Sequence, residues 1–149
     1  MTQNVRRATV DDIDRLVPLF DEYRRFYDKP SDIVVARQFL ADRTSRGESV
    51  VLVAEDRDGA ARGFVQLFPT FSSIHVAPVY LLSDLFVAPA ARCRGFGTLL
   101  LKAATETASA GGVVRLELST AITNVSAQRL YEQLGWKRDD EFYVYVLSL

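Results

Sequence analysis

The sequence predicts an α/β or α+β protein, a sheet with helices on both sides, and three observations carry that reading. An amphipathic stripe stands near the start, with Ile13, Leu16, Val17, Phe20 and Tyr23 at helical spacing. Three β-rich runs follow in succession, "SVVLVAED", "RGFVQLFPTF" and "VYLLSDLFV". Beyond them helix and strand patterns alternate, giving the order β-α-α-β-β-β-α-β-α-β. A chain of 149 residues, 48% of them hydrophobic, suffices for one packed core, so residues 1–149 are expected to form a single domain.

"NVRRATV" reads as a short first strand, and Thr9 followed by Asp12 resembles a helix-capping arrangement. The helix it starts carries the apolar stripe on toward Phe26 or Tyr27, until Pro30 and Ser31 interrupt it. A second helix, from about Asp32 to Arg43, is expected to turn Val35, Phe39 and Leu40 inward before "SRGE" turns the chain. The next two β-rich runs flank "RDGA", an Asp-Gly hairpin signal. "VYLLSDLFV" is almost wholly apolar, which suits a central strand covered on both faces.

A third helix is expected from near Gly95 to Ala110, with Gly111 and Gly112 as the stop. "VVRLELS" is a further strand, and the loop "TAITN" hands Asn124 to a last helix as its N-cap. That helix aligns Ala127, Leu130, Tyr131 and Leu134 and ends at Gly135. "EFYVYVLSL" closes the chain as an expected strand. Phe142, Val144 and Val146 alternate there with Tyr143, Tyr145 and Leu147, so both faces are apolar and want cover, and a homodimer contact is expected through this end.

Composition excludes several function classes. Eighteen basic and nineteen acidic residues leave a net charge of -1, so no global field recruits nucleic acid or an anionic membrane, and any anion binding is local. One cysteine, Cys93, excludes an internal disulfide, and with one histidine, His75, it leaves almost no material for a metal site. No signal-type apolar core stands at the N-terminus, and no run approaches the ~18 apolar residues a span needs. A soluble, cytoplasmic, metal-free protein is expected.

The stretch "RCRGFGTLLL", Arg92 to Leu101, places two glycines directly ahead of a helical run, and since glycine inside a helix costs about 1 kcal/mol relative to alanine, the pair needs a reason. The first N–H groups of a helix have no partner within it and carry the positive end of its dipole. Gly95 and Gly97 let a pyrophosphate approach those amides, and Arg92 or Arg94 adds a bidentate donor. The dinucleotide pattern fails because position 100 is Leu100, and the P-loop fails for want of Gly-Lys-Ser/Thr.

"LSDLFVAPAARCRGFGTLLL" followed by "NVSAQRLYEQLGW" resembles the GNAT superfamily of acyl-CoA-dependent N-acetyltransferases. Arg92, Gly95 and Gly97 match its Arg/Gln-x-x-Gly-x-Gly/Ala signature. Asn124, Ala127, Leu130, Tyr131, Gly135 and Trp136 match the pattern on its following helix. The element order agrees over essentially the whole chain, and "LFDEYRRFYDKPSD" and "QLFPTFSS" look more like the branch of polyamine and thialysine acetyltransferases. The resemblance implies a central, mixed, mostly antiparallel twisted sheet flanked by helices on both faces.

It also implies acetyl-CoA as cosubstrate, with the pyrophosphate on the amides from Cys93 through Arg94, Gly95, Phe96 and Gly97 to Thr98. The pantetheine arm would lie along Leu85, Phe86 and Val87, whose strand splays from its neighbour in the family, and Asn124 and Ala127 would complete the cofactor side. Tyr131 matches the family's general acid. An acceptor resembling a lysine ammonium is nucleophilic in only about one molecule in a few thousand at neutral pH, so a base or water chain must take its proton. The branch typically has Glu-Asp in this strand, whereas this chain reads Ser83-Asp84. Asp84 is the candidate base or a structural strand residue, with Glu22 or Glu117 as substitutes.

The acceptor pocket is expected from Tyr23, Arg24 and Tyr27 and from Phe68, Phe71 and Ser72. Aromatic walls hold a cation, at ~0.5–2 kcal/mol each, and Arg24 would favour an acceptor bearing a carboxylate. The implied function is acetyl transfer to a primary amine of a small molecule such as an amino acid or polyamine. Acetylation of a protein lysine or N-terminus and a non-catalytic acyl-CoA-binding module are the alternatives.

Overall fold

The computed structural model describes residues 3–149, and the chain divides into two compact units, one ending at Ser119 and one running from Thr120 to Leu149. The first contains β1 (Asn4–Arg7), α1 (Ile13–Phe26), α2 (Ile33–Ser45), β2 (Val50–Glu55), β3 (Ala61–Ser72), β4 (Ala77–Val87), α3 (Phe96–Ala110) and β5 (Leu116–Glu117). The second contains α4 (Val125–Gln133). The strands form one sheet in the order β1-β2-β3-β4-β5. Every neighbouring pair is antiparallel except β4 and β5, which are parallel and joined through α3. The mixed, mostly antiparallel α/β architecture expected from the sequence is the one observed.

Strand alternation sorts the core into two layers. Val51, Val53, Phe64 and Phe86 lie in one cluster with Leu16, Val17 and Phe20 of α1 and Ala36 and Leu40 of α2. Their neighbours along β2 and β3 point the other way, where α3 packs with Phe96, Leu100, Leu101 and Ala104 buried. Gly63 of β3 permits that close packing, because a Cβ there would meet the Phe86 carbonyl oxygen at 2.7 Å and Leu100 Cδ1 at 3.2 Å. Helices therefore cover both faces. No helix among the described residues is long and apolar enough to cross a membrane.

The entry to α1 is fixed by polar groups. Thr9 and Asp12 form the expected reciprocal capping box, over a single 3-10 turn that leads into the helix. The Asp12 carboxylate also accepts from Arg6 at 2.7 Å and Arg15 at 3.2 Å, and both arginines reach Glu55 of β2. Further along, buried Asp21 accepts from the Ser31 hydroxyl at 2.7 Å and the Asp32 amide at 2.8 Å, tying α1 to the start of α2.

Three expectations are corrected. In α2 the buried residues are Ala36 and Leu40, while Val35 is 51% exposed; Phe39, 38% exposed, stacks on Phe20 at 5.8 Å. "IVVA" offers apolar residues at consecutive positions, so periodicity alone does not choose the inward row. The strand expected over "VVRLELS" is reduced to Leu116 and Glu117, paired with Tyr80 and Leu81 of β4. Before them the segment meets β4 only through the Val114 amide on the Pro78 carbonyl and the Tyr80 amide on the Arg115 carbonyl, and beyond Leu81 it leaves the β4 edge. The closing strand is absent, since Glu141–Leu149 joins no ladder and Phe142 to Leu147 are exposed. A strand exists through hydrogen bonds to a neighbouring edge, and the one other regular element of that unit, α4, offers none.

Candidate active site

The centre of the sheet carries a polar cluster at an irregularity in β4. Gln66 pairs with Asp84, yet Leu67 pairs with Leu82, so Ser83 is an extra residue in the strand. Adjacent side chains of a regular strand point to opposite faces, and a bulge relaxes that rule. The Ser83 hydroxyl accordingly donates to Asp84 Oδ1 at 3.2 Å. Gln66 Nε2 donates to Asp84 Oδ2 at 2.5 Å. From α1 above, the Tyr23 hydroxyl donates to the Ser83 carbonyl at 3.2 Å and also acts on the Asp84 carboxylate.

Asp84 is 7% exposed and Gln66 is fully buried. Burial pushes the Asp84 carboxyl above the ordinary aspartate range, and hydrogen bonds from Gln66, Tyr23 and Ser83 pull it part of the way back. A carboxylate so raised binds a proton more readily near neutrality, as a general base requires. Of the substitutes, Glu117 is ion-paired to Arg115 at 2.6 Å, and neither it nor Glu22 acts on Asp84. Gln66 is the residue the sequence reading missed; its signal was a lone amide inside an otherwise buried apolar run.

Beside this cluster β4 has an open edge. From Leu82 to Val87 it is bonded to β3 alone. The Ala88 amide donates to the Arg62 carbonyl at 2.8 Å, so the antiparallel alternation makes Phe86–Phe64 and Asp84–Gln66 the bonded pairs. The main-chain groups of Leu85 and Val87 therefore point away from β3, toward the open side. Arg92 Nε donates to the Val87 carbonyl at 3.0 Å, and its guanidinium lies 5.5 Å from the Phe86 ring. Phe86 itself faces the core beneath Tyr23, with ring centroids 6.0 Å apart.

Eight residues separate the end of β4 at Val87 from the start of α3 at Phe96. Gly95 is its N-cap with φ 85, a left-handed conformation that glycine adopts without steric cost, and Cys93 has φ 60. The first helical bond runs from the Leu99 amide to the Gly95 carbonyl at 3.1 Å, which leaves the N–H groups of Phe96, Gly97 and Thr98 at the helix end. Phe96 is buried and anchors the turn, Arg94 stacks 5.5 Å above its ring, and Gln3 holds the Arg94 carbonyl at 2.9 Å. A groove of about 610 Å³ lies alongside, lined by Gln3, Asp56, Arg57, Arg94 and Leu99.

The expected acceptor residues divide. Tyr23 caps the Asp84 cluster and packs edge-on against Tyr27 at 5.2 Å. Arg24 carries a buried Nη1 with no hydrogen-bond partner. Phe68 is half-buried opposite Leu81, but Phe71 and Ser72 pair with Pro78 and Ala77 far along the hairpin. Five residues separate Phe71 from Gln66, ~17 Å of extended strand, and Ser72 is bonded to the His75 ring at 2.8 Å. The structure does not bring Phe71 and Ser72 to Asp84.

In the second unit Asn124 caps α4, its side chain accepting from the Ala127 amide at 3.2 Å. The Trp136 amide donates to the Tyr131 carbonyl and the Gly135 amide to the Glu132 carbonyl, with Gly135 at φ 89, the Schellman ending of a helix. Tyr131 is half-buried, its ring 6.0 Å from that of Trp136. Asn124, Gly135 and Trp136 thus have local structural tasks that hold the helix bearing Tyr131.

The family model described as "Acetyltransferase (GNAT) family" matches residues 15–136. The chain belongs to this family. The acetyltransferase is 44% identical over 146 residues to the Uncharacterized N-acetyltransferase YhfO of Bacillus subtilis, covering 98% of this chain and 97% of that one. A crystal structure of a probable acetyltransferase, 38% identical, superposes with a TM-score of 0.93 over 98% of this chain and 97% of that chain. The L-ornithine N5-acetyltransferase NATA1 of Arabidopsis thaliana is 37% identical over 78 residues, 52% of this chain and 34% of that protein.

Acetyl-CoA is the general cosubstrate of the family, and two features of the acetyltransferase fit it. The open amides before Leu99 suit a pyrophosphate, and the free edge of β4 suits the amides of an extended arm.

Proposed function

We propose that the enzyme transfers the acetyl group of acetyl-CoA to a primary amine of a small molecule by direct attack, with Asp84 as proton acceptor and Tyr131 as general acid. The observation that carries this reading is Asp84: a buried carboxylate with no charged partner among the described residues, set at the bulge where the β4 edge opens. Phe96, Gly97 and Thr98 would hold the pyrophosphate by main-chain N–H groups, and Leu85 and Val87 would hold the pantetheine arm as a strand would. Acetyl-CoA supplies the activated acyl carbon. Asp84 accepts the proton the attacking ammonium must lose, and Tyr131 returns one to the leaving thiolate.

The acceptor class follows from Arg24 and the tyrosines. An acceptor bearing both an ammonium and a carboxylate would place its carboxylate by the guanidinium of Arg24 and its cation by the rings of Tyr23 and Tyr27. The partial likeness to a protein named as an ornithine acetyltransferase supports the same class.

The test is a free-thiol assay with acetyl-CoA and a panel of L-ornithine, L-lysine, spermidine and a lysine peptide. Turnover should be fastest on the amino acids. Asp84→Asn should lower kcat by about 100-fold or more while calorimetric acetyl-CoA binding persists. Saturable acetyl-CoA binding without turnover on any acceptor would overturn the reading in favour of a binding module.

A further inference from the structure

Asp84 is the buried end of the proposed proton path, and Ser83 is the exposed one of its three hydrogen-bond partners. Oδ2 is closed by Gln66, which is itself fully buried. The hydroxyl of half-buried Tyr23 shares its single proton between the Ser83 carbonyl and the Asp84 carboxylate. Ser83 differs from both, being exposed along β4 while its hydroxyl contacts Asp84 Oδ1. A hydroxyl has one proton to give and two lone pairs to receive, so it can accept on one side while donating on the other.

We propose that Ser83 is a catalytic relay residue, its hydroxyl taking a proton from the acceptor ammonium and passing its own proton to Asp84. The inference rests on the acetyl-transfer reading above. The N–H bond of the ammonium breaks as a new O–H forms at Ser83 Oγ, and the former Ser83 proton moves to Asp84 Oδ1. This leaves a neutral amine, an intact serine and a carboxylic acid. The amine lone pair then forms the C–N bond, the C–S bond breaks, the thiolate is protonated to CoA-SH, and the amide nitrogen loses its extra proton. Asp84 returns its proton to solvent, so each cycle converts an ammonium and a thioester to an amide, a thiol and one released proton.

The bulge makes this possible. In a regular strand Ser83 would face away from Asp84, and a hydroxyl there could not bridge the carboxylate to the open face. The groups acting on Asp84 are the neutral donors Gln66 of β3, Tyr23 of α1 and Ser83 of β4, and no charged side chain is among them. The pH response of the path is therefore that of Asp84 and the acceptor amine.

The experiment compares wild type, Ser83→Ala, Ser83→Thr and Asp84→Asn, using the panel amine turned over fastest and following kcat/KM from pH 6 to pH 10. Ser83→Ala should lose roughly 100-fold at pH 7, the lower end of general acid-base contributions, and recover toward high pH as the amine arrives already neutral. Ser83→Thr keeps the hydroxyl and should stay within about threefold of wild type. Acetyl-CoA affinity by calorimetry should be unchanged in both. Wild-type rates and pH profile in Ser83→Ala, with Asp84→Asn inactive, would overturn the relay and leave Asp84 as base. Equal losses in the alanine and threonine variants, or lost acetyl-CoA binding in Ser83→Ala, would overturn it too. Full activity in Asp84→Asn, or no turnover of any acceptor by wild type, would remove the underlying reading and the relay together.

Discussion

Gln66 and Asp84 face each other across β3 and β4 at the last regular pair before the bulge, amide nitrogen to carboxylate oxygen at 2.5 Å. The amide donates into a carboxylate whose pKa burial raises, while the other end of the same amide, Oε1, is buried without a hydrogen-bond partner. A polar pair in this setting costs stability and is consistent with a site kept for chemistry rather than packing.

That cost is measurable through pH. The folded-state pKa of Asp84 is raised above its reference of 3.8 by burial, so the native state holds the proton more tightly than the unfolded chain. Stability attributable to this group is fully present below pH 3.8 and declines as pH rises through the folded value. Asp84→Asn removes the titration. Denaturant unfolding should show the variant gaining on wild type between pH 4 and pH 7; a pH-independent difference would contradict the raised pKa.

Asp12 shows the opposite sign. Hydrogen bonds from Arg6, with the Thr9 amide and the charge of Arg15, lower its carboxyl from 3.8 to about 2 despite burial. Its contribution is present above pH 3.8 and is lost as pH falls through about 2. Asp12→Asn should cost up to about 2 kcal/mol at pH 7, read by chemical denaturation, and the gap to wild type should close near pH 2.

Gly95→Ala tests the helix start. Nothing lies nearer than 4.0 Å to an added Cβ, so the penalty comes from the backbone at φ +85. A left-handed alanine should cost about 1–2 kcal/mol in unfolding experiments. Acetyl-CoA affinity should weaken with it, because the turn aims the N–H groups of Phe96 to Thr98. Unchanged affinity in a destabilised variant would separate that turn from cofactor binding.

Much of this was legible in the sequence because it is local. The Thr9–Asp12 box, the Asp-Gly hairpin, the Gly95 start of α3 and the Asn124 and Gly135 ends of α4 each depend on a few adjacent residues whose backbone preferences are strong. The Gln66–Asp84 contact is not local. It depends on register between strands and on one extra residue at Ser83, and no periodicity encodes either. Phe71 and Ser72 fail as neighbours of Asp84 for a related reason: the sequence suggests a hairpin but not how far along it a residue stands. Glu141–Leu149 shows the remaining gap, since alternation states a preference for strand geometry without supplying a partner.

The orientation of Leu85 and Val87 determines what mutagenesis can see. Their outward groups belong to the main chain, and replacing either side chain by alanine leaves those amides and carbonyls in place. A conventional alanine scan along β4 would report this stretch as silent even if it grips a ligand along its whole length. Proline at position 85 deletes the N–H itself, and a backbone ester at the same bond does so with less disturbance to the chain.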